Sequence, residues 1–309
     1  MTRDDALHTV AYSATSALLV ELLATPKPGL VDRRSDLREL SAIRMQASAV
    51  SLYRWFYEAA RRGMRGLRPG ELGELVLRAV ESSLSSQRGG NAHLGAVLLV
   101  VPLCAAAGAS IGKGKGLSEV ALRRAARVVL VGTDWRDTLG VFRAIRLSRP
   151  GGLGSVPYLD VNDERTYEEV RRRRIGLLDA LRAYPGRDLV ADELVGGYPL
   201  SFGTCLRELR RVLRNGGDLN AAAVNGLLAV MAERPDTHVV RRNGLHAALS
   251  VKEVAARALR AGGATTAEGR RILKEMDRRF RERDIRPGSS ADVLDAALTV
   301  LLLVDRVRP

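Results

Sequence analysis

The spacing of apolar residues is the feature that most constrains the fold of this chain. Near the start, Val10, Ala14, Ala17 and Leu18 recur at intervals of three and four positions, which places them on one face of a helix that must end before Pro26. Similar patterns continue along the chain, and no segment shows sustained alternation of apolar and polar residues. We therefore predict an all-α fold, a single large multi-helix globular domain over residues 1–309 with few or no strands.

Composition supports this prediction. Aromatic residues make up only 4% of the chain, whereas Ala, Leu, Val and Arg are abundant, and this balance favours helices over strands. Two stretches with the spacing of a capping box, 250–253 and 265–268, predict two successive helix starts. Further helices are predicted at about 36–63, 69–86, 91–110, 117–131, 134–148, 163–183, 188–214, 218–233 and 289–307.

Four short segments interrupt the helical pattern with Gly, Pro, charged and amide residues. They are residues 25–32, 89–95, 235–244 and 286–292. Each lies at a predicted helix end, where unpaired backbone N–H groups, carboxylates and cations can converge on one phosphorylated ligand. We therefore expect a single site assembled by the whole fold.

In order and spacing, these segments resemble the motifs of the triphosphoribosyl-dephospho-CoA synthase family, the ATP:dephospho-CoA triphosphoribosyl transferases that make the prosthetic-group precursor of citrate lyase and malonate decarboxylase. The motifs are Pro-Lys-Pro-Gly-Leu-Val-Asp at 26–32, Gly-x-Asn-x-His-x-Gly at 89–95, Asp-Thr-x-Val-x-x-Arg-x-Gly at 236–244 and Pro-Gly-Ser-Ser-Ala-Asp at 287–292. Ala92 and Leu94 stand where the family pattern has Thr and Lys, so the chain looks like a divergent branch.

The resemblance implies a reaction between two substrates, ATP and dephospho-CoA or a related cofactor precursor. A ribose hydroxyl of the acceptor attacks the anomeric carbon of ATP, adenine leaves, and the triphosphate stays on the transferred ribose. This chemistry needs cations and Mg²⁺ for the phosphates, a base for the hydroxyl and a donor to the purine. Candidate catalytic residues are His93, as base or as donor to the purine, together with Asp32 and Asp236.

The same resemblance suggests ligands for the phosphates and for Mg²⁺. Nucleotide or phosphate binding is expected at Lys27, Gly89, Gly90, Asn91, His238, Arg241, Arg242, Ser289 and Ser290. Mg²⁺ is expected at Asp32, Asp236, Asp292 and Glu21. Structural alternatives remain open, because Asn91 suits a helix N-cap, Asp292 suits the start of its own helix, and Glu21 near a helix end needs only a cation such as Lys27.

The net charge of +14 raises the question of nucleic acid. Basic runs such as 171–174 lie in helical patterns beside acidic residues, where solvated ion pairs explain them, and an anionic small ligand is the alternative. Interleaved aromatics and known nucleic-acid-binding motifs are missing, so no nucleic-acid partner is expected. Arg143 and Arg146, one turn apart before a glycine-rich stretch, form a candidate acceptor-binding surface.

Other features bear on the setting of the protein. Cys104 and Cys205 lie in apolar or helical contexts and are expected to be buried reduced thiols. The apolar run 96–107 contains Pro102 and is too short for a bilayer, and acidic residues interrupt the N-terminal segment. We therefore expect a cytoplasmic protein with no membrane partner. Only two Gln, with abundant Arg and Glu, hint at a thermophilic source.

Three classes of function follow from these observations. The first is the ATP-dependent triphosphoribosyl transferase. The alternative is a metal-dependent nucleotide or glycosyl hydrolase on the same fold, with water as the acceptor. A helical nucleic-acid-binding protein is the weakest of the three. The sequence leaves the oligomeric state open, with a homodimer paired through an apolar helix face as one alternative.

Overall fold

The computed structural model describes residues 2–114, 116–152, 154–183, 186 and 188–309. Over these residues the chain forms fifteen α-helices, one π-helical segment, Leu200–Cys205, and one 3-10 turn, Gly263–Thr265. The described part of the chain contains no strand, and its isolated β-bridge joins Asp32 to Ser35. The predicted all-α fold with few or no strands is confirmed.

The helices, numbered in chain order, are α1 (Arg3–Leu23), α2 (Ala42–Arg65), α3 (Glu71–Ser85), α4 (Leu94–Gly112), α5 (Glu119–Val131), α6 (Trp135–Ser148), α7 (Glu164–Arg173), α8 (Leu177–Arg182), α9 (Leu189–Gly196), α10 (Leu206–Arg214), α11 (Leu219–Glu233), α12 (Thr237–Asn243), α13 (Leu245–Arg260), α14 (Ala267–Glu282) and α15 (Gly288–Val304).

Most predicted helices agree with these bounds to within a few residues, and the misses have local causes. The predicted helix 163–183 is two helices, because Arg174 adopts a left-handed conformation (φ 52°) and ends α7. The predicted start at Ser250 is wrong, since α13 already begins after Gly244, whose φ of 86° breaks the chain there. The next predicted start is one residue early: Thr266 caps α14 by accepting a hydrogen bond from Gly269 N.

Helix α4 lies at the centre of the core. Its side chains are buried along nearly the whole length, and it packs against α1, α2, α5 and α15. Small residues bring α2 and α4 close together, because a Cβ on Gly108 would lie only 1.8 Å from the carbonyl oxygen of Ala60. This close contact lies near the C-terminal end of α4, whereas the second motif precedes its N-terminus.

Among the residues that the structure describes, two helices, α1 and α4, are long and apolar enough to cross a membrane by length and composition. The prediction that the apolar run 96–107 is too short for a bilayer therefore underestimated the apolar length of α4. In the fold, 72% of the apolar window of α4 and 56% of that of α1 are buried, which is common for the core helices of globular proteins. Cys104 and Cys205 are both buried and free, as predicted.

The motifs approach one another at two close backbone contacts. A Cβ on Gly29, at φ 73°, would lie 2.2 Å from the carbonyl oxygen of Ile285, which joins the first motif to the last. A Cβ on Gly95 would lie 2.0 Å from Oδ2 of Asp292, which joins the second motif to the last. Glycine at both positions lets these distant segments approach one another closely.

Candidate active site

Residues of all four motifs line one cavity of about 800 Å³. Lys27 comes from the first motif, His93 from the second, His238 from the third and Asp292 from the fourth. The volume lies within the range of small-molecule sites, which enclose about 300–1,000 Å³. The sequence-based expectation that distant segments form one lining is therefore met.

Lys27 enters the cavity wall as half of a buried ion pair. Its side chain is 1% exposed, and Nζ lies 2.5 Å from Oε1 of Glu21 and 2.8 Å from the Glu21 carbonyl oxygen. The ammonium thus compensates both the carboxylate and the negative end of α1, the role that the sequence suggested for it. Both residues line the cavity.

Asp292 and Asp295 lie one turn apart on α15 and both line the cavity. The Asp292 carboxylate accepts a hydrogen bond from Ala96 N–H, at the start of α4. It therefore serves the start of another helix rather than its own. Burial, followed by the negative charges of Asp188, Asp236 and Glu21, raises the pKa of Asp292 well above its ordinary value.

Asp295 was not among the residues predicted from sequence. It is 2% exposed, and its Oδ1 has no hydrogen-bond partner. Burial, followed by the charges of Glu21 and Asp292, raises its pKa well above the ordinary value. A signal was present, because Asp295 is the lone carboxylate within an apolar run of α15 and follows Asp292 by three positions.

Asp32 lies behind the cavity wall rather than in it. Its Oδ2 accepts hydrogen bonds from Thr25 Oγ1 at 2.8 Å and Lys27 N at 3.3 Å, and its Oδ1 accepts one from Arg34 N at 2.8 Å. It is 3% exposed and is not among the lining residues. With both oxygens engaged by its own loop, Asp32 holds the first motif in shape.

Asp236 occupies a similar structural position in the third motif. It caps α12 by accepting a hydrogen bond from Val239 N at 3.0 Å, and it accepts two from Ser290, from N at 2.7 Å and from Oγ at 2.8 Å. Burial raises the pKa of Asp236, although these hydrogen bonds oppose that effect. Asp236 and Ser290 do not line the cavity; they join the starts of α12 and α15.

The predicted set of Mg²⁺ ligands is therefore divided. Glu21 and Asp292 line the cavity, whereas Asp32 and Asp236 do not. Among the described residues, no group of three or more His, Cys, Asp or Glu is arranged to hold a metal. The carboxyl that sequence reasoning missed, Asp295, lies where Asp32 and Asp236 were expected.

His93 holds the N-cap position of α4 and is 2% exposed. Its Nδ1 lies 2.8 Å from Ser48 Oγ, which in turn lies 2.6 Å from Ser83 Oγ. Its Nε2 is buried and has no hydrogen-bond partner. Burial, with a further contribution from Lys27, lowers the pKa of His93 to about 4, so the imidazole is neutral at neutral pH.

The three residues of the turn before His93 that were predicted to bind phosphate have different positions. Asn91 Oδ1 accepts a hydrogen bond from Leu94 N at 3.1 Å, which is the capping interaction that the sequence allowed. Asn91 and Gly89 line the cavity, while Gly90, at φ 79°, turns the chain and does not line it.

The basic side of the cavity comes from α12. His238, Arg241 and Arg242 all line it. Arg241 Nη1 lies 2.6 Å from Asp188 Oδ2, and Arg242 Nη2 lies 2.6 Å from Asp284 Oδ2. Burial, with further contributions from the neighbouring arginines, lowers the pKa of His238 to about 4. Arg241 Nε is buried without a partner.

Two further arginines that the sequence did not single out as ligands complete this side. Arg286 and Arg149 line the cavity, and Arg286 contacts Glu39 at 2.9 Å and Asp284 at 2.6 Å. Ser289 also lines it, accepting a hydrogen bond from Thr237 Oγ1 at 3.1 Å. The site thus places its cations mainly on one side and its unpaired carboxyls on α15.

Comparison with known proteins identifies the family. Residues 7–308 match the CitG family model, ATP:dephospho-CoA triphosphoribosyl transferase. The chain belongs to this family. A Pseudomonas paraeruginosa protein named "Probable 2-(5''-triphosphoribosyl)-3'-dephosphocoenzyme-A synthase" is 32% identical over 303 residues, covering 96% of this chain and 91% of its own. A protein of the same name from Pectobacterium carotovorum is 27% identical over 310 residues, covering 96% and 89%.

A crystal structure agrees with this assignment. A protein from Archaeoglobus fulgidus, named "putative triphosphoribosyl-dephospho-coA synthase", superposes with a TM-score of 0.63 at 29% identity, covering 83% of this chain and 97% of its own. The resemblance seen in the four motifs is confirmed, and the chain is a transferase. The comparisons give no support to the hydrolase alternative. Ala92 and Leu94, where the motif departs from the family pattern, both line the cavity.

Proposed function

We propose that this protein transfers the triphosphoribosyl group of ATP to a hydroxyl of dephospho-CoA, or of a closely related precursor, and releases adenine. The observation that carries the proposal is the shared cavity: motifs that begin at residue 25 and end at residue 292 line one space. Membership of the transferase family supports the type of reaction, and the charges that line the cavity support its details.

The basic side suits the triphosphate. Arg241, Arg242 and Arg286 are held by Asp188, Asp284 and Glu39, so their guanidinium groups are oriented before a ligand arrives. Guanidinium groups form short, bidentate hydrogen bonds to phosphate oxygens. The Ser289 hydroxyl adds a neutral donor on the same side of the cavity.

In this proposal Asp292 or Asp295, on α15, removes the proton from the attacking hydroxyl. Five carboxyl groups line the cavity, and three of them have cationic partners: Glu21 with Lys27, Glu39 with Arg286, and Asp188 with Arg241. Asp292 and Asp295 form no ion pair in the described part of the chain, although the charge of Lys27 partly opposes the rise in the pKa of Asp295. Their raised pKa values make them stronger bases, once ionised, than ordinary carboxylates.

The same pair fits Mg²⁺. Asp295 Oδ1 is buried and unpaired, and both carboxyls have raised pKa values because burial and neighbouring negative charges disfavour ionisation. Mg²⁺ is usually bound by one or two carboxylates together with substrate phosphates, so one of Asp292 and Asp295 would hold it with the phosphates and leave the other free to act as the base. When bound, the ion would offset the charge of the phosphates.

Apolar side chains complete the lining and suit the uncharged parts of the substrates. They include Leu40, Met45, Leu98, Phe142 and Ile145. Such a surface accommodates a purine or an aliphatic arm and excludes water from the anomeric carbon. Exclusion of water favours transfer to the acceptor hydroxyl over hydrolysis.

Product analysis tests the proposal. The protein is incubated with ATP and Mg²⁺, with and without dephospho-CoA, and adenine and the triphosphoribosylated product are quantified by mass spectrometry. We expect equal amounts of adenine and product, and only when the acceptor is present. Adenine release from ATP alone would indicate hydrolysis, and no adenine under either condition would reject the proposed reaction.

Paired variants test the role of the basic side. Arg242→Ala removes a guanidinium that lines the cavity, whereas Arg283→Ala removes an exposed one that does not. A charge-assisted hydrogen bond contributes about 1.5–3 kcal/mol, so Arg242→Ala should raise KM for ATP by about tenfold or more. Arg283→Ala should leave it unchanged, and equal effects of the two variants would contradict the assignment.

A further inference from the structure

A chain of hydrogen bonds lies behind His93 and bears on the protonation of its ring. Three polar atoms form a buried row: Ser83 Oγ, Ser48 Oγ at 2.6 Å, and His93 Nδ1 at 2.8 Å from Ser48. The three residues are 4%, 0% and 2% exposed. In this row Nδ1 of His93 either donates to Ser48 or accepts a hydrogen bond from it, and the two arrangements leave different atoms unpaired.

In the first arrangement, His93 Nδ1–H donates to Ser48, and one serine donates to the other. If Ser48 donates, the Ser83 hydroxyl hydrogen is left without an acceptor, and if Ser83 donates, the Ser48 hydrogen is left, because neither hydroxyl has another partner in the described part of the chain. A buried donor without a partner costs about 1–3 kcal/mol. His93 Nε2 would also be left as an unpaired acceptor.

In the second arrangement, Ser83 donates to Ser48, and Ser48 donates to Nδ1 of His93. Both hydroxyl hydrogens are then used, and the only group left is Nε2–H at the cavity wall. The ring is neutral at neutral pH, since burial and Lys27 lower the pKa of His93 to about 4. Such a ring is a weak base but a good hydrogen-bond donor.

We infer that Ser83 and Ser48 are positioning residues that hold His93 as the neutral Nε2–H tautomer, so that it donates a hydrogen bond to the nucleotide in the cavity. The acceptor on the nucleotide is a purine nitrogen or a phosphate oxygen. The inference rests on the proposed function for the identity of the ligand, but the tautomer itself follows from the hydrogen bonds of the protein alone.

Nuclear magnetic resonance tests the tautomer without any activity. The chain has four His residues, so two-bond ¹H–¹⁵N correlations of ¹⁵N-histidine-labelled protein resolve few signals, and His93→Gln assigns the one of interest. We expect a neutral Nε2–H ring at pH 7 and still at pH 6. A neutral Nδ1–H ring, or an imidazolium at pH 6, would overturn the inference.

Two serine variants form a matched pair for the same spectrum. Ser48→Ala removes the donor to Nδ1 and should give a mixture of tautomers. Ser51→Ala, on the same helix, removes a hydroxyl that donates only to the Ser48 carbonyl oxygen at 2.7 Å, and should leave the ring unchanged. An unchanged ring in Ser48→Ala would show that the serine row does not set the tautomer.

Variants of His93 separate a donor from a base. The amide nitrogen of Gln reaches the position of Nε2, whereas that of Asn reaches the position of Nδ1. A donor role predicts that His93→Gln keeps activity to within about tenfold of the wild type while His93→Asn falls lower by about another tenfold, the worth of one charge-assisted or buried hydrogen bond. Equal losses in the two variants would contradict a donor role.

The kinetic pattern then identifies the acceptor atom. A bond to the departing purine strengthens in the transition state, so its loss lowers kcat and leaves KM for ATP unchanged. A bond to a phosphate oxygen contributes equally before and during reaction, so its loss raises KM for ATP.

A different observation carries a second proposal, on the outer side of the cavity. An open cleft of about 990 Å³ lies between α6 and α7 and is lined by Arg143, Arg146, Arg149 and Arg171, with Glu164 and Glu168 as its acidic residues. Arg149 lines both this cleft and the cavity, so the two spaces are adjacent at that residue.

Three of the four arginines that line the cleft form no ion pair with the described residues of the protein. Arg146 is held by Glu164 and lies over the ring of Tyr167, 5.9 Å from its centroid. Arg143, Arg149 and Arg171 form no ion pair within the described residues. Unpaired guanidinium groups on a concave surface attract an anion, and phosphates are the anions that they bind best.

We propose that this cleft holds the diphosphate of the acceptor substrate. The proposal rests on the proposed function, in which ATP places its triphosphate against the basic side of the cavity. The second substrate also carries phosphate groups, and these need cations of their own. A cleft that meets the cavity at Arg149 would hold them while the acceptor hydroxyl reaches the ribose of ATP.

Kinetics with matched variants test this subsite. Arg143→Ala and Arg171→Ala should each raise KM for dephospho-CoA by about tenfold, the expected loss of one charge-assisted hydrogen bond, with KM for ATP unchanged. Arg172→Ala removes a neighbouring exposed arginine that does not line the cleft and should change neither. Inorganic pyrophosphate should compete with dephospho-CoA in the wild type and less well in Arg143→Ala.

The outcomes separate this proposal from the proposed function. If the wild type releases adenine with dephospho-CoA but the cleft variants match Arg172→Ala, the cleft is not the acceptor subsite and the transferase activity stands. If KM for ATP rises in place of KM for dephospho-CoA, the cleft binds the triphosphate and the proposal is wrong. If the wild type makes no product, the proposed function fails first.

Discussion

The four aspartates that define or adjoin the motifs divide into two pairs with opposite surroundings. Asp32 and Asp236 lie in loops before helices, and each accepts at least three hydrogen bonds from neighbouring N–H and O–H groups. Asp292 and Asp295 lie on α15 within the cavity wall, and the Oδ1 of Asp295 accepts none. Aspartate thus stabilises the loops of the first and third motifs, whereas on α15 it remains available for a ligand.

The comparison teaches that motif membership does not by itself indicate a reactive group. A carboxylate whose oxygens are all paired has little left to offer a substrate, and its loss damages the fold. A buried carboxylate without partners costs stability, and such costs are concentrated at functional sites. Hydrogen-bond satisfaction therefore distinguishes the two pairs.

The largest expected effect follows from changing the α15 pair. Asp292→Asn and Asp295→Asn keep the shape but remove the charge, so the rate of adenine release should fall by about 10²–10⁴-fold, the usual contribution of an acid–base group. The melting temperature should stay the same or rise, because burial already disfavours the charged form. Retained activity with a lower melting temperature would show that these residues are structural, as Asp32 and Asp236 are.

The buried ion pair gives the next largest effect, on stability rather than on chemistry. Lys27→Met leaves the Glu21 carboxylate buried without its cation, which costs about 3–5 kcal/mol of folding free energy. The double variant Glu21→Gln with Lys27→Met should recover most of that loss. Equilibrium unfolding in guanidinium chloride measures both, and a double variant no more stable than Lys27→Met would show that the pairing is not what stabilises this wall.

A smaller effect is expected for the loop pair. Asp236→Asn places an amide N–H₂ against the two donors of Ser290, so folding free energy should fall by about 1–3 kcal/mol. Adenine release, measured well below the melting temperature, should stay within a few-fold of the wild type. If the folded variant loses as much activity as Asp295→Asn, Asp236 is a catalytic residue, as the sequence predicted.

Per pH unit, the pH dependence of stability gives the smallest effect, and it is the most specific one. The raised pKa values of Asp292 and Asp295 mean that the folded state binds protons more tightly than the unfolded state. Stability from these groups is therefore fully present below about pH 4, the ordinary Asp value, and is lost as pH rises through the raised pKa values.

Denaturant titrations from pH 4 to pH 8 measure this dependence. Each group should contribute a slope of up to about 1.4 kcal/mol per pH unit, and Asp292→Asn should flatten the curve by removing one group. A curve of equal slope in the variant would show that Asp292 ionises normally in the folded protein.

Sequence patterns predicted most helices because apolar periodicity records which face is buried. They failed where a single backbone conformation decides the outcome. Ser250 has the spacing of a helix start, yet Gly244 breaks the chain earlier at φ 86°. Sequence also predicted that the motifs share one site, and Lys27, His93, His238 and Asp292 do line one cavity.

The choice of residues within the site was less predictable. Asp295 and the serines behind His93 lie in helical patterns that read as core, so only their neighbours in space reveal them. Arg286 begins the fourth segment and Arg149 follows Arg143 and Arg146, yet neither was predicted as a ligand. In each case the deciding information is which groups lie nearby in space, and linear spacing does not contain it.

The amino-acid sequence by itself determined the helical fold, the family and the segments that meet at the site, because these depend on local periodicity and on motifs that can be read along the chain. Only the tertiary structure decided which carboxyls are free, since Asp32 and Asp236 find donors on their own or neighbouring loops while Asp295 finds none. Whether a polar group is satisfied depends on residues brought together by packing, often from more than fifty positions away.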